Sequence, residues 1–359
     1  MLRILYIAYP LLTVSQQSAG GAEQMLWTLE HEMAVRGIST TVAASSGSQV
    51  SGELLITGEP SSQADDYERR NREHQDRILQ WLHSGRQSFD LIHDKSGSFW
   101  PRAAEIDIPV LATLHLPRHF YPQHYFEDIP ANVSFTCVSA SQAASFVDLN
   151  NLMEVVSNGI LLSQFEPNYG ARAGLLWLGR ICEEKGTHLA LDIAARLDSP
   201  ITLAGQVYPF SYHQQYFEKE IASRLRQMPK ASFISSPSME EKRKLLREAQ
   251  ALLIPALADE TSSLVAMEAA ASGTPVVAFS RGALPEVVKD GVTGLVVDEM
   301  EEAVEALGQI GKIKPEACAQ HAQKSFSSGR MAEEHLRIYE CICRHSSAQP
   351  RAAVPQGSF

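Results

Sequence analysis

With 359 residues, 44% of them hydrophobic and 20% charged, the chain is large enough for two ordinary domains and too apolar for a disordered one. Its formal net charge of −11 excludes nucleic acid as the main partner, since phosphate backbones demand clustered Lys and Arg. A small anion held by a few local cations stays open.

The N-terminal run MLRILYIAYPLL is short, is followed by polar SQQSAGG and lacks a small-residue cleavage pattern. It therefore reads as a buried strand, Arg3–Ala8, rather than a signal peptide. A helix is predicted over Ala22–Arg36 and a strand over Ser39–Ala44, and the segment Gly47–Asp66 has no periodicity and reads as a loop. The mixed charges from Tyr67 to Arg77 open a helix to Ser84 and suit a solvated face better than a membrane-binding one. Short apolar runs at Asp90–His93, Pro109–Leu114, Val133–Val138 and Glu154–Val156 read as buried strands.

A second series starts after the Gly- and Pro-containing segment Phe165–Gly174, the best linker. Strands are predicted at Leu175–Leu178, Ile201–Ala204, Ala231–Ile234, Ala251–Ile254, Pro275–Ala278 and Gly294–Val297. Helices alternate with them at Thr187–Leu197, Tyr212–Gln227, Met239–Glu248, Ser263–Ala271 and Glu301–Leu307. An amphipathic helix, Met331–Cys343, precedes a tail, Ser346–Phe359, that reads as disordered. Such alternation predicts an α/β fold of two Rossmann-like, doubly wound parallel-sheet domains, with ligand sites at the strand carboxyl ends facing a central cleft. The expected division is residues 1–168, residues 169–328, a C-terminal helix over 329–345 crossing back to the first domain, and the tail. No stretch approaches the ~20 apolar residues of a bilayer span, although peripheral membrane association stays open. Five scattered cysteines without disulfide or zinc spacing point to reduced thiols and a cytoplasmic location.

Chemistry concentrates in the second series. In Leu178-Gly179-Arg180 to Lys185-Gly186, a strand ends and a helix begins, so two cations stand near free helix N–H groups. Arg as a fork and Lys as a point charge suit a diphosphate. Asp259-Glu260 to Glu268 places two carboxylates eight residues apart, one before a helix and one two turns into it. Ser262 or Ser263 can cap that helix. A carboxylate accepts paired hydrogen bonds from vicinal hydroxyls, so Glu268 suits a ribose and Glu260 a second sugar. Two surface glutamates on an amphipathic helix remain the bland alternative. In the first series, Gly20-Gly21 precedes a helix and lets backbone amides approach a ligand, or forms an ordinary turn.

Together with Leu284-Pro-Glu286 and the Gly-Thr-Pro turn after Glu268, these motifs resemble the retaining glycosyltransferases of family 4, whose fold is GT-B. Asn158-Gly159-Ile160 with Phe165 is similar to that family's Asn-Gly-Val segment, and the likeness spans about Leu2 to Val297. The resemblance implies transfer of a hexose from a nucleoside-diphosphate sugar, UDP-sugar first, to an acceptor hydroxyl with retention. It implies no metal and no cofactor beyond this co-substrate, and an acceptor that is a glycan, a lipid-linked sugar or a small molecule. Arg180 and Lys185 would neutralise the leaving diphosphate, Glu260 would hold the donor sugar, and Glu268 would bind ribose. Gly20, Gly21, Ser262, Ser263, Leu264 and Val265 would complete the donor site. His115, which follows a buried strand, matches the family histidine facing the donor sugar, or is a structural hydrogen-bonder.

His119 and His124 near His115 lack an acidic partner and a helical presentation, so no metal site is expected there. The aromatic and basic residues from Arg118 to Phe126 line an acceptor pocket or cover the core, and Ser139 aligns with a cleft-side hydroxyl of the family. Where the family has Phe-Gly after the first glutamate, this chain has Ser262-Ser263, which changes the surroundings of the donor sugar. Two rivals share the binding residues: a sugar-nucleotide epimerase or hydrolase of the same fold, and a nucleotide-sugar-binding protein without turnover.

Overall fold

A computed structural model describes residues 2–18, 20–61, 66–208 and 210–348. Apolar runs of four to seven residues become strands in two six-stranded parallel sheets. The first holds β1 (Arg3–Ile7), β2 (Ser39–Ser45), β3 (Glu53–Gly58), β4 (Leu91–Asp94), β5 (Val110–Leu114) and β6 (Val133–Cys137), in the order β3-β2-β1-β4-β5-β6. The second holds β7 (Leu175–Arg180), β8 (Ile201–Gln206), β9 (Ala231–Ser235), β10 (Ala251–Ile254), β11 (Val276–Phe279) and β12 (Gly294–Val297), in the order β12-β11-β10-β7-β8-β9. Counted from its own first strand, each sheet has the same doubly wound order. Each therefore reverses direction beside its first strand, and the crevice at the carboxyl ends there is where such sheets take ligands.

The helices, in chain order, are α1 (Gly21–Val35), α2 (Tyr67–His83), α3 (Ala140–Ala143), α4 (Thr187–Arg196), α5 (Ser211–Tyr216), α6 (Ser223–Gln227), α7 (Met239–Glu248), α8 (Leu264–Ala271), α9 (Leu284–Val287), α10 (Met300–Gln309), α11 (Pro315–Ser325) and α12 (Ser328–Ala348). They cover both faces of each sheet, as parallel strands buried on both sides require. One core fills the second unit, around Leu176, Leu203 and Leu252. Two cores flank the first sheet, and one of them takes in Met331, Ile338, Tyr339 and Ile342 of α12, which lies against α1.

The chain crosses between the units twice, at adjacent points. Ile160 donates its N–H to the Phe326 carbonyl (2.8 Å) and accepts from Ser328 (3.0 Å), so the outgoing and returning strands brace one another. A Cβ on Gly159 would meet the Ser327 carbonyl oxygen at 2.6 Å, which is why the Asn158-Gly159-Ile160 segment needs glycine at this crossing. Arg172, at the end of the linker, donates to the carbonyls of Asn168 and Ser272, which fixes the entry into β7.

Several sequence expectations are corrected. The segment Gly47–Asp66 is not simply a loop: it contains β3, an edge strand, while residues 62–65 lie outside the described residues. Glu154–Val156 forms no strand, although the Val156 N–H reaches the Cys137 carbonyl at 3.0 Å. The helix expected over Tyr212–Gln227 is broken by a π-helical stretch, Phe217–Ala222. The last helix starts at Ser328 and runs through residues 346–348, which the sequence assigns to a disordered tail; residues 349–359 lie outside the described residues.

Candidate functional site

Between the two sheets lies a cleft of about 980 Å³. Its N-terminal wall includes Gln16, Gly21 and Gln24, and its C-terminal wall carries Arg180, Lys185, Lys242, Arg243, Glu260 and the segment Ser262–Val265. Most of the residues expected to bind a donor therefore share one cavity.

Arg180 ends β7, and its guanidinium lies 5.6 Å from the centroid of the Tyr208 ring, another wall residue. Lys185 closes a single 3-10 turn (Glu183–Lys185), and the Trp177 indole N–H donates to its carbonyl at 3.3 Å. The turn feeds directly into α4 through Gly186, whose φ is +62° and whose Cβ position would fall 1.8 Å from the Pro255 carbonyl oxygen. Only glycine meets both demands, so this position holds Lys185 against the cleft.

Lys185 Nζ donates to Glu260 Oε1 at 2.5 Å, with the lysine 34% and the glutamate 12% exposed. The backbone at Glu260 is fixed by pairing with Gly282, which lies at φ +56° and approaches too closely for a Cβ. Glu268 lies two turns later on α8 and is 3% exposed. Its burial follows from the small side chains around it, since Ala266, Ala269 and Ala270 let α8 pack closely in the core against α11. Lys242 Nζ donates to Glu268 Oε1 at 2.6 Å, while Oε2 is buried with no hydrogen-bond partner among the described residues. Glu268 borders a smaller cavity, which shares Gln16, Gln24 and Met239 with the main cleft. A buried ion pair with one acceptor left over is poised to take hydroxyl hydrogens.

Neither serine caps α8, contrary to the expectation. Ser263 occupies the N-cap position without a side-chain hydrogen bond, and Ser262 Oγ is buried and unpartnered among the described residues. The first N–H groups of α8 are consequently left without a side-chain cap, on the wall formed by Ser262–Val265, as an anion site requires.

Gly21 begins α1 and faces Leu264 across the cleft, its Cβ position 3.3 Å from Leu264 Cδ1. Gly20 has ordinary extended backbone (φ −82°), and a Cβ there would press on the Glu23 carboxylate. His115 does not belong to the wall of this cavity. It touches the donor side through its backbone, where Thr261 Oγ1 donates to its carbonyl at 2.7 Å, and its Nε2 is buried without a partner among the described residues. Burial first, then the charge of Lys95, holds its imidazole well below the usual range, so it is neutral at pH 7. A second clasp joins the units where Glu286 accepts from the Ala140 and Ser141 N–H groups at 2.9 and 2.6 Å. Ser139 caps the short α3 at that point rather than presenting a free hydroxyl. In the aromatic-basic loop, Tyr121 packs into the core and its hydroxyl accepts from the His115 and Leu116 N–H groups, while Phe120 is exposed.

Lys242, Arg243 and Tyr208 are cleft residues that sequence reasoning missed. The only signal near the first two is the capping box of Ser238 and Glu241, which fixes where α7 starts but not which of its charged side chains face inward.

Behind His115, Lys95 is buried, and burial lowers its ammonium to about 7 against the partial opposition of Asp94. His93, His115 and His335, which surround it, are all held low by burial and by its charge. An unfolded lysine titrates near 10.4. Between about pH 7 and 10 the unfolded chain therefore binds the extra proton, and stability attributable to this site rises with pH. Lys95→Met is expected to raise Tm at pH 6 and to lose most of that gain by pH 10. A gain independent of pH in thermal melts would contradict the burial cost.

Residues 163–325 match the family described as glycosyl transferases group 1. Among curated proteins, the D-inositol 3-phosphate glycosyltransferase of Mycobacterium sp. (strain KMS) is 33% identical over 173 residues, covering 44% of this chain and 39% of that protein. The protein of the same name from Mycobacterium tuberculosis (strain F11) is 31% identical over 209 residues, covering 52% of this chain and 43% of its own length. The chain thus spans about two fifths of the length of the curated relatives it matches. Sucrose-phosphate synthase from Thermosynechococcus elongatus superposes with a TM-score of 0.81 at 17% identity, over 96% of this chain and 100% of the other. The Anabaena HepE protein in complex with UDP and glucose gives 0.73 at 14% identity, over 95% and 100%. These likenesses show the fold, which is GT-B.

Proposed function

We propose that this chain is a retaining, metal-independent glycosyltransferase of family 4. It would move a hexose from a nucleoside-diphosphate sugar, UDP-sugar first, to an acceptor hydroxyl, in the cytoplasm. The observation that carries this reading is the convergence on one cleft of Arg180, Lys185, the Glu260 carboxylate and an uncapped helix N-terminus, with Glu268 on the adjoining smaller cavity.

The diphosphate is set between Arg180, Lys185 and the first N–H groups of α8. The sugar hydroxyls reach Glu260 and the ribose reaches Glu268, whose Oε2 has acceptor capacity to spare. Charge accumulates on the leaving diphosphate as the glycosidic bond lengthens, and fixed cations and dipoles stabilise it. The acceptor hydroxyl attacks the oxocarbenium-like carbon on the face the diphosphate leaves, and a departing phosphate oxygen takes its proton. No carboxylate is assigned as a covalent nucleophile, so double displacement is not invoked. The first unit holds the acceptor, and His115, outside the cleft wall, supports that side through its carbonyl, which accepts from Thr261. The clasps at Thr261 and Glu286 hold the units together and limit donor hydrolysis by water. Cys137, Cys182, Cys318 and Cys341 are free thiols, which suits a reducing compartment.

Thermal shift with nucleoside diphosphates and their sugars identifies the donor, because a ligand that binds the folded state raises Tm. NMR of the product formed with that donor and an acceptor panel is expected to show the donor's anomeric configuration retained, with chelator present. D-inositol 3-phosphate, for which the mycobacterial relatives are named, heads the panel. Inversion would overturn the mechanism, and release of free sugar alone with every acceptor would make the protein a hydrolase.

A further inference from the structure

A second group of chemically competent side chains lies behind the donor loop, outside the machinery described above. Cys182, Glu184 and His213 place a thiol sulfur, a carboxylate oxygen and an imidazole nitrogen all within 4.8 Å of one another. Cys182 and His213 are fully buried, and Glu184 is exposed. Both ring nitrogens of His213 are buried without a hydrogen-bond partner among the described residues. A buried histidine normally satisfies at least one nitrogen, so a pair of orphaned nitrogens beside a thiol and a carboxylate calls for a ligand.

We propose that Cys182, Glu184 and His213 form a binding site for a zinc-type divalent ion. Sulfur, nitrogen and oxygen donors together select a borderline-soft cation and disfavour Mg²⁺ or Ca²⁺. Bonds of about 2.0–2.3 Å in a tetrahedral site separate the ligand atoms by roughly 3.3–3.8 Å, so the side chains must draw in by about 1 Å. Glu184, on the surface, has the freedom to do so and marks the entry path. Binding releases the Cys182 thiol proton to solvent, and the thiolate, the carboxylate and the ion then sum to zero charge. Water completes the fourth position.

The ion would tie the Cys182–Gly186 turn to His213 on α5. The turn is already bonded to the next strand loop, where the Leu257 N–H donates to the Glu184 carbonyl at 2.9 Å, three residues before Glu260. The ion would therefore brace the segment between Arg180 and Lys185 from behind without touching the reacting atoms. Transfer itself need not require it. Zinc spacing was invisible in the sequence because His213 comes from a separate element, 31 residues beyond Cys182.

The test uses tag-free full-length protein, stripped with chelator and titrated with Co²⁺ in place of zinc. One equivalent is expected to bind, with the ultraviolet charge-transfer absorption of a thiolate–cobalt bond, and Zn²⁺ should displace it and raise Tm. Cys182→Ser is expected to abolish the absorption, and His213→Gln to weaken binding at least tenfold. Glu184→Gln, at an exposed position that leaves the fold intact, should weaken it severalfold. Absence of the thiolate band, or wild-type Co²⁺ affinity in Cys182→Ser and Glu184→Gln, would overturn the site. Metal binding is read here without substrate, so the outcome is independent of whether the chain transfers sugar.

Discussion

Lys185→Ala is expected to lower kcat by about 10²–10³-fold, the scale on which a single preorganised charge acts on a developing anion. Two effects add. The leaving diphosphate loses a cation, and Glu260, only 12% exposed, loses the ammonium that contacts it at 2.5 Å and faces the donor as an uncompensated charge. The lysine is itself one-third exposed, so the loss of stability should be small and the circular dichroism spectrum unchanged. Adding Glu260→Gln to Lys185→Ala removes the repulsion but not the missing cation. The double variant should therefore recover part of the donor affinity and little of kcat. Steady-state kinetics with the best donor decide it: wild-type turnover in Lys185→Ala would remove Lys185 from the mechanism.

Glu268→Ala should act on stability and donor binding together. Lys242 and Glu268 are 13% and 3% exposed, and a buried pair broken on one side typically costs about 3–5 kcal/mol, because the remaining charge stays desolvated. For a unit of this size that corresponds to a fall in Tm on the order of 10 °C. Replacing both members, as Glu268→Ala with Lys242→Met, removes the stranded ammonium and should restore most of the Tm. It cannot restore the carboxylate oxygen proposed for the ribose, so the donor KM should stay at least tenfold raised. If KM returns to the wild-type value along with Tm, Glu268 is structural and the ribose assignment fails.

These two ion pairs mark the boundary between what was readable in the chain and what was not. The amino-acid sequence determined the two doubly wound sheets, because strands buried on both faces must be runs of apolar residues, as in Leu175–Leu178 and Ala251–Ile254. Strand β3 escaped although it contains Leu54-Leu55-Ile56, since this edge strand is largely half-buried or exposed and its short apolar run sits inside a long polar segment. The Arg180–Lys185 segment and the Glu260 to Glu268 spacing stood out locally, because turn glycines and the helical repeat are short-range properties.

Only the tertiary structure decided which charges meet. Lys185 finds Glu260 across 75 positions and Lys242 finds Glu268 across 26, and nothing in a solvated-looking helix such as Met239–Glu248 distinguishes the lysine that turns inward. That the helix N-terminus at Leu264 is left without a side-chain cap was likewise hidden, because Ser263 is a good capping residue whose side chain does not cap. Propensity and periodicity act over a few residues, whereas burial and charge pairing depend on which distant segments the two sheets bring to the same cleft.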